Sequence, residues 1–331
     1  MKSVDVIIPF HSDSSFLWKA LDSILLSKGV AVRLLLINDI GDQKISSKFQ
    51  KEIETYLDRV SANYLIISND GRSYATSLNA GRAFLESDFV AILNSDDLST
   101  PLRLQSQVRA LEESCADLAV GRIVKFSRRF RLPTMVGKVK PSSFCWQHIL
   151  LGAYGADASI MVTRKAWLEF FRFDESNLSS DWATALRIYP QIRIIGVDSA
   201  VYKYRIHSLQ VTQSKIQISD EFSLYFPLWN QLNTALGLPD VPQRVAQAIS
   251  QPWAKLKLEK SDFKLMQIWC AKFESVLSDI SEPKQTRSLL SRRLIISGQT
   301  YFGIIKNPFL FTKMVMEYTY IRIIGARTRS R

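Results

Sequence analysis

The sequence predicts an α/β domain on a mostly parallel, doubly wound sheet, followed by a mainly helical C-terminal region. Three observations carry this expectation. Short apolar runs at residues 4–9, 32–37, 64–67 and 89–93 have the length of strands buried on both faces. Stretches with helical spacing of apolar residues, at 16–25, 46–58 and 73–85, lie between them, as in successive βαβ units. Beyond about residue 213 the strand signal stops and the pattern is largely helical. The expected division is a domain over residues 1–212 and a basic, mainly helical region over 213–331.

The first run, VDVIIP, ends at Pro9, which has no N–H for a sheet ladder. His11, Ser12, Asp13 and Ser14 form a polar loop rich in N-cap residues, and Phe16, Leu17, Ala20, Leu21, Ile24 and Leu25 follow at helical spacing. The second run ends in Asn38-Asp39-Ile40-Gly41-Asp42 and the third in Ser68-Asn69-Asp70-Gly71. The fourth stops at Asn94-Ser95-Asp96-Asp97, where carboxylates replace apolar side chains. A helix over 101–113 then opens on Pro101, with Ser99 or Thr100 as its N-cap. Further on, strands are expected at 118–126, 132–140 and 158–162 and helices at 143–151 and 164–171. A helix over 180–189 is stopped by Pro190, and two closing strands follow at 192–195 and 201–204.

Composition excludes several classes. With 331 residues and 47% hydrophobic content the chain can bury a substantial core. Cys115, Cys145 and Cys270 are odd in number and far apart, which argues against a disulfide framework or zinc site and fits a reducing cytosol. No charged-then-apolar leader precedes the first run, and the soft stretch 294–305 is too short and polar to span a bilayer. The net charge of +12 is concentrated in two places. Residues 121–140 hold seven basic side chains and no acid, and residues 284–331 hold ten against Glu317. Aromatic and aliphatic residues among the latter suit an interfacial surface on an anionic membrane, or else a packed subdomain or oligomer contact. No nucleic-acid partner is expected.

Right-handed crossovers place all four strand ends on one edge, so the polar loops at 11–13, 38–42, 69–72 and 94–97 share a rim. Ligands of open α/β sheets bind in the crevice beyond the strands' carboxyl ends. Adjacent carboxylates there repel unless a cation or hydrogen bonds hold them, and hard oxygen ligands suit Mg²⁺ or Mn²⁺ and, through it, a diphosphate. The plainer alternative is that Asp96 and Asp97 cap a helix and solvate a turn.

Six segments in order resemble the GT-A-fold, family-two inverting glycosyltransferases over residues 4–212. They are the opening VDVIIPFHSDSSFLWKALDSIL, the Asp39 loop, Asn69-x-Gly71 with Leu78-Asn79-Ala80-Gly81, LNSDDLSTPLRL, Phe173-Asp174-Glu175 with Ser180-Asp181-Trp182, and Tyr204-Arg205-Ile206-His207. The resemblance implies a nucleotide-diphospho-sugar donor, with a UDP-sugar favoured, and a glycan or lipid-linked acceptor hydroxyl. It implies Asp181 as the catalytic base, and Pro9, His11, Asp39, Asn69, Arg72, Asn79, Asp97 and Arg205 at the donor. Trp182 and Asp157 are implied at the acceptor, and Asp96, Asp97 and His207 at Mg²⁺ or Mn²⁺. The implied setting is the cytoplasm, with peripheral association at the inner face of the plasma membrane, in bacterial surface polysaccharide synthesis.

The residues alone leave alternatives open: Asp39 as a turn residue, Asp181 as an ordinary helix-start acid, Trp182 as core and His207 as structural. Asn38, Asn94 and Ser180 stand where the family often has acids, and the interval from Asn69 to Asn79 is about two residues longer than usual. Two rival functions are a non-catalytic nucleotide-sugar-binding module, with Asn94 marking lost metal affinity, and a sugar nucleotidyltransferase. The second resembles a Gly-rich first loop, whereas residues 9–15 contain no glycine.

Overall fold

The computed structural model describes residues 1–12, 14–69, 73–126, 134–135, 141, 144–152, 157–175, 180–207, 222–251, 256, 258–277 and 290. The chain divides into two compact units, Met1–Trp146 with Tyr154–Lys215, and Gln147–Ala153 with Ile216–Arg331.

In the first unit the order is β1 (Ser3–Phe10), α1 (Ser15–Leu25), β2 (Ala31–Asn38), α2 (Gln43–Arg59), β3 (Asn63–Ser68), α3 (Tyr74–Gly81) and β4 (Phe89–Ile92). There follow β5 (Leu98–Ser99), α4 (Arg103–Ser114), β6 (Leu118–Phe126), β7 (Thr134–Met135), β8 (Ile160–Thr163), α5 (Arg164–Phe170), α6 (Ser180–Ile188) and β9 (Ile194–Arg205). Among the described residues these strands make one sheet in the order β3-β2-β1-β4-β8-β6-β9-β5, with β7 on β6. The first four strands are parallel, as expected. β8 then runs antiparallel to both β4 and β6, while β9 is parallel to β6.

The rim follows from register. Phe10 pairs with Asn38, and Asn38 with Ser68, so β1, β2 and β3 end in step. Asp39 N donates to Phe10 O at 2.8 Å and Asn69 N to Asn38 O at 2.8 Å, carrying the ladder one residue into each loop. At the opposite edge Asp5 is fully buried inside an apolar strand. Its carboxylate accepts from Arg33 Nε at 2.8 Å, from the amides of Glu86 and Ser87 and from Ser87 Oγ, which ties β1, β2 and the approach to β4 together. A buried carboxylate is tolerated when its lone pairs are met in this way.

α4 seals the junction where the sheet changes from parallel to antiparallel. Arg103 and Gln107, one turn apart, are both fully buried. Arg103 Nη2 donates to Ala158 O at 2.6 Å and Ile92 O at 3.1 Å, and Gln107 Nε2 to Ser159 O at 2.9 Å and Ala119 O at 3.2 Å. Burial lowers the Arg103 pKa to about 10, and its guanidinium lies 5.0 Å from the Tyr202 ring centre.

Several element boundaries differ from expectation. The helix placed at 101–113 begins at Arg103, and neither Ser99 nor Thr100 caps it. Residues 98–99 instead form β5 on β9, and Thr100 Oγ1 donates to Val201 O, so tertiary strand pairing overrides the local cap signal. The helix expected over 73–85 ends at Gly81 and continues as a 3₁₀ turn, Arg82–Phe84. The two closing strands are one, β9, because β6 pairs with both halves and a register shift at Gly121/Arg122 absorbs the extra residues. The segment expected as a helix over 143–151 is a 3₁₀ turn at Trp146–Leu151. Of the strand expected over 132–140, the described part is β7.

The second unit is helical in its described part: α7 (Phe222–Ala235), α8 (Gln243–Ser250) and α9 (Lys260–Leu277). Trp229 and Trp269 are fully buried with ring centres 5.9 Å apart. Their indole N–H groups donate to Leu150 O at 3.0 Å and Asn233 Oδ1 at 2.6 Å, so each large apolar ring carries a satisfied polar atom into the core. Among the described residues no helix is long and apolar enough to cross a membrane. Most of the basic stretch past Phe126, and residues 291–331, lie outside the described residues.

Candidate active site

The site is built on the loops that leave β1–β4 and on the end of β9. Asp39 is half-buried just beyond β2, and its Oδ1 accepts from Asn69 Nδ2, just beyond β3, at 3.0 Å. Asn38 fixes the loop from below: its Nδ2 donates to Ser46 Oγ at 2.9 Å and its Oδ1 accepts from Ile40 N at 3.3 Å. Asp42 caps α2 by accepting from the amides of Lys44 and Ile45, so of the loop's two acids it is Asp39 that reaches across to β3 through Asn69. Pro9 is buried at the end of β1 and His11 is exposed in the loop after it.

α3 holds the rim together. Ser73 and Thr76 form a capping box at its start. Tyr74 Oη donates to Asn94 Oδ1 at 2.9 Å, linking α3 to the loop after β4. Asn79, expected at the donor, has its amide engaged elsewhere. Its Oδ1 accepts from Phe173 N at 3.0 Å, and its Nδ2 donates to Phe173 O at 2.9 Å and to Glu175 Oε1 at 2.8 Å. Asn79 thereby hangs the segment that leads towards α6 on the same helix as the rim contacts.

The two adjacent acids are in different environments. Asp97 is fully buried. Its Oδ2 accepts from Tyr202 Oη at 2.5 Å and its Oδ1 from Arg205 N at 2.6 Å, so it joins the loop after β4 to the end of β9. Burial, and then the charge of Asp96, raise its pKa to about 7 against the opposing hydrogen bonds from Tyr202, Arg205 and Asn94. Tyr202 is itself pushed well above the ordinary tyrosine value, first by burial and then by Asp97. Asp96 faces outward, with its side chain 31% exposed and its Oδ2 2.8 Å from His207 Nε2. Arg205 Nε donates to Asp96 O at 2.6 Å.

Sequence reasoning missed the side chains that surround this pair. Phe16, on the first turn of α1, lies with its ring centre 5.0 Å from that of His207 and 4.6 Å from the Arg205 guanidinium. Phe126, the register partner of Arg205 on β6, lies 4.7 Å from the same guanidinium. Phe16 reads as one more apolar helix residue and Tyr202 as one more strand residue, so only their neighbours reveal them.

Asp181 is half-buried in the first turn of α6, where free N–H groups favour a negative charge, and its Oδ1 accepts from Trp182 N at 2.8 Å. Trp182 is 3% exposed, so its indole packs inside the unit and does not present a face to a ligand. Asp157 lies in a 3₁₀ turn just before β8, and Arg72 is outside the described residues. Among the described residues no cluster of three or more His, Cys, Asp or Glu could hold a metal. Asp97 is fully buried with each oxygen accepting a hydrogen bond, whereas Asp96 and His207 are partly exposed. Asp96 offers the hard carboxylate oxygen that Mg²⁺ and Mn²⁺ prefer, and His207 beside it is the softer donor.

Known proteins agree with this architecture. S. aureus TarS residues 1–349, solved in complex with UDP-GlcNAc, matches 93% of this chain and 93% of its own at 12% identity, with a TM-score of 0.58. The same protein in complex with UDP matches 90% and 91% at 13% identity, with a TM-score of 0.56. The likeness establishes the GT-A fold with its helical C-terminal portion. In sequence, the O-antigen biosynthesis glycosyltransferase WbnJ of Escherichia coli is 22% identical over 221 residues, covering 64% of this chain and 83% of WbnJ. Glycosyltransferase GlyA of Streptococcus pneumoniae serotype 4 is 22% identical over 221 residues, 61% of this chain but 30% of GlyA. The family described as Glycosyl transferase family 2 matches residues 5–171, which include Asp39, Asn69, Asp96 and Asp97 and stop short of Asp181, Arg205 and His207. That match takes in half the chain, from β1 to α5, and with it the chain belongs to glycosyl transferase family 2.

Proposed function

We propose that the chain transfers a sugar, with inversion, from a nucleotide-diphospho-sugar to a hydroxyl of a glycan or lipid-linked acceptor, in the building of a bacterial surface polysaccharide. The observation that carries this is the common edge of Asp39–Asn69 and of Asp96, His207 and Arg205. Asp39 follows β2 and Asp96 follows β4, two strands over, roughly 10 Å across a sheet. That separation suits a nucleoside at one end and its diphosphate at the other. A UDP-sugar is the favoured donor, and the UDP-GlcNAc and UDP complexes of TarS support that choice. The name of WbnJ supports the polysaccharide setting.

In this reading Asp39 accepts a hydrogen bond from the base edge, with Asn69 steadying it. Asp96 and His207 hold Mg²⁺ or Mn²⁺, which when bound neutralises charge on the departing diphosphate. Arg205, with Arg72, clamps the phosphates through charge-assisted hydrogen bonds. Asp181 takes the proton of the acceptor hydroxyl as its oxygen bonds to the anomeric carbon and the bond to the diphosphate breaks. Attack from the face opposite the leaving group needs that single base and inverts the centre. Asp157 is a proposed acceptor contact. The enzyme would work in the cytoplasm, peripherally at the inner face of the plasma membrane.

The test is Asp181→Asn, with transfer measured against a panel of UDP-sugars and UDP binding measured by calorimetry with and without Mn²⁺. Loss of transfer with UDP affinity kept within about twofold is expected. Comparable turnover by the variant would remove Asp181 as the base. Wild-type binding without turnover or metal dependence would favour the binding-module reading instead.

A further inference from the structure

We infer that Phe16 is a positioning residue for the diphosphate end of the donor site, acting through Arg205 and His207. This rests on the donor reading above. The buried stripe of α1 is Leu17, Ala20, Leu21 and Ile24, and Phe16 stands beside that stripe, half-buried. Core packing therefore does not demand an aromatic ring at this position. The turn that carries it is fixed, because Phe16 N donates to Ser14 Oγ, the N-cap, at 3.2 Å.

The neighbours of the ring are the site's cation and imidazole. The Arg205 guanidinium lies 4.6 Å from the Phe16 ring centre, within the range of a cation–π contact. The His207 ring centre lies 5.0 Å away, with its plane tilted by 52°. Both groups also bear on Asp96, Arg205 through the backbone carbonyl and His207 through the carboxylate. One ring on α1 thus braces two side chains that grip the loop after β4, Arg205 at the end of β9 and His207 two residues beyond it. An arginine side chain has many rotamers, and ordering it before the ligand arrives removes an entropic cost from binding. The brace acts on phosphate and metal, not on the base, because Asp39 and Asn69 belong to the loops after β2 and β3.

The test uses the full chain and compares Phe16→Leu, which keeps an apolar side chain without a π face, with Phe16→Tyr, which keeps the ring. Calorimetry in Mn²⁺ measures UDP and uridine on each. Phe16→Leu is expected to weaken UDP about tenfold and leave uridine within about twofold, while Phe16→Tyr holds UDP within about twofold of wild type. Equal weakening of UDP and uridine, undiminished UDP affinity in Phe16→Leu, or a Phe16→Tyr variant as weak as Phe16→Leu would each overturn the assignment. If circular dichroism finds Phe16→Leu unfolded, Phe16→Met takes its place under the same criteria. A wild-type chain that binds no UDP overturns the donor reading itself, an outcome distinct from an unaffected variant.

Discussion

Asp96 and Asp97 are indistinguishable by spacing and opposite in role. Asp96 is partly exposed beside His207, whereas Asp97 is fully buried under Tyr202 Oη and Arg205 N. Asp97→Asn replaces one of two carboxyl oxygens, which accept from Tyr202 Oη and Arg205 N, with an NH₂ group that faces a donor already in place. It is expected to cost about 1–3 kcal/mol, the range for leaving a buried polar group unmatched. The pH dependence has a definite sign. The folded carboxyl titrates at about 7 because of burial and Asp96, and an unfolded aspartate titrates at about 3.9. Between those values the folded chain holds a proton that the unfolded chain has released, so this group's contribution to stability falls as pH rises. The penalty of Asp97→Asn should therefore be largest near the acid end of that window and shrink towards neutrality. Urea unfolding of both proteins in chelator across the window measures this, and a penalty that grows with pH would contradict it.

At the scale of elements, the join between the two halves of the sheet sets the site's geometry. β6 pairs with both β8 and β9, and the shift at Gly121/Arg122 lets β9 run on to Arg205. A Cβ on Gly121 would sit 2.9 Å from both Ala200 O and Ser159 O, which are backbone atoms that cannot swing aside. Gly121→Ala is expected to destabilise the chain by about 1–3 kcal/mol through overpacking, read as a lower thermal midpoint. An unchanged midpoint would mean that β6 and β9 part at that point without cost. The sequence announces α4 clearly but not its contacts. Arg103, within the LNSDDLSTPLRL segment, is fully buried against the carbonyls of Ile92 and Ala158. Ser99 and Thr100 read as caps and serve β9, because strand pairing between distant residues outweighs one local capping bond.

Over the whole molecule, charge is the feature that the catalytic reading absorbs least. Residues 284–331 carry ten basic side chains against Glu317, mixed with large apolar ones. On an anionic bilayer such a composition would gain from buried apolar area and from roughly 1 kcal/mol per basic residue near the surface. Deleting residues 284–331 should weaken co-sedimentation with vesicles containing phosphatidylserine, and the loss should be smaller at high salt. Unchanged sedimentation would assign the segment to packing or to contact between copies.

Local pattern by itself determined the parallel half of the sheet and the shared rim of four polar loops, whereas the choice of Asp39, Asn69 and Asp96 on that rim came from the family resemblance. Strand length, helical period and the crossover rule are properties of neighbouring residues and a fixed hand, so one sequence carries them. Only the tertiary structure decided that Asn79 clamps the Phe173 backbone, that Asp97 and Trp182 are buried, and that Phe16, Tyr74, Phe126 and Tyr202 surround the site. Those facts depend on the register between strands far apart in the chain and on which of several donors reaches a given acceptor. Neither leaves a periodic trace in sequence, because a buried tyrosine hydroxyl and a core aromatic ring share the same hydrophobic pattern until their neighbours are known.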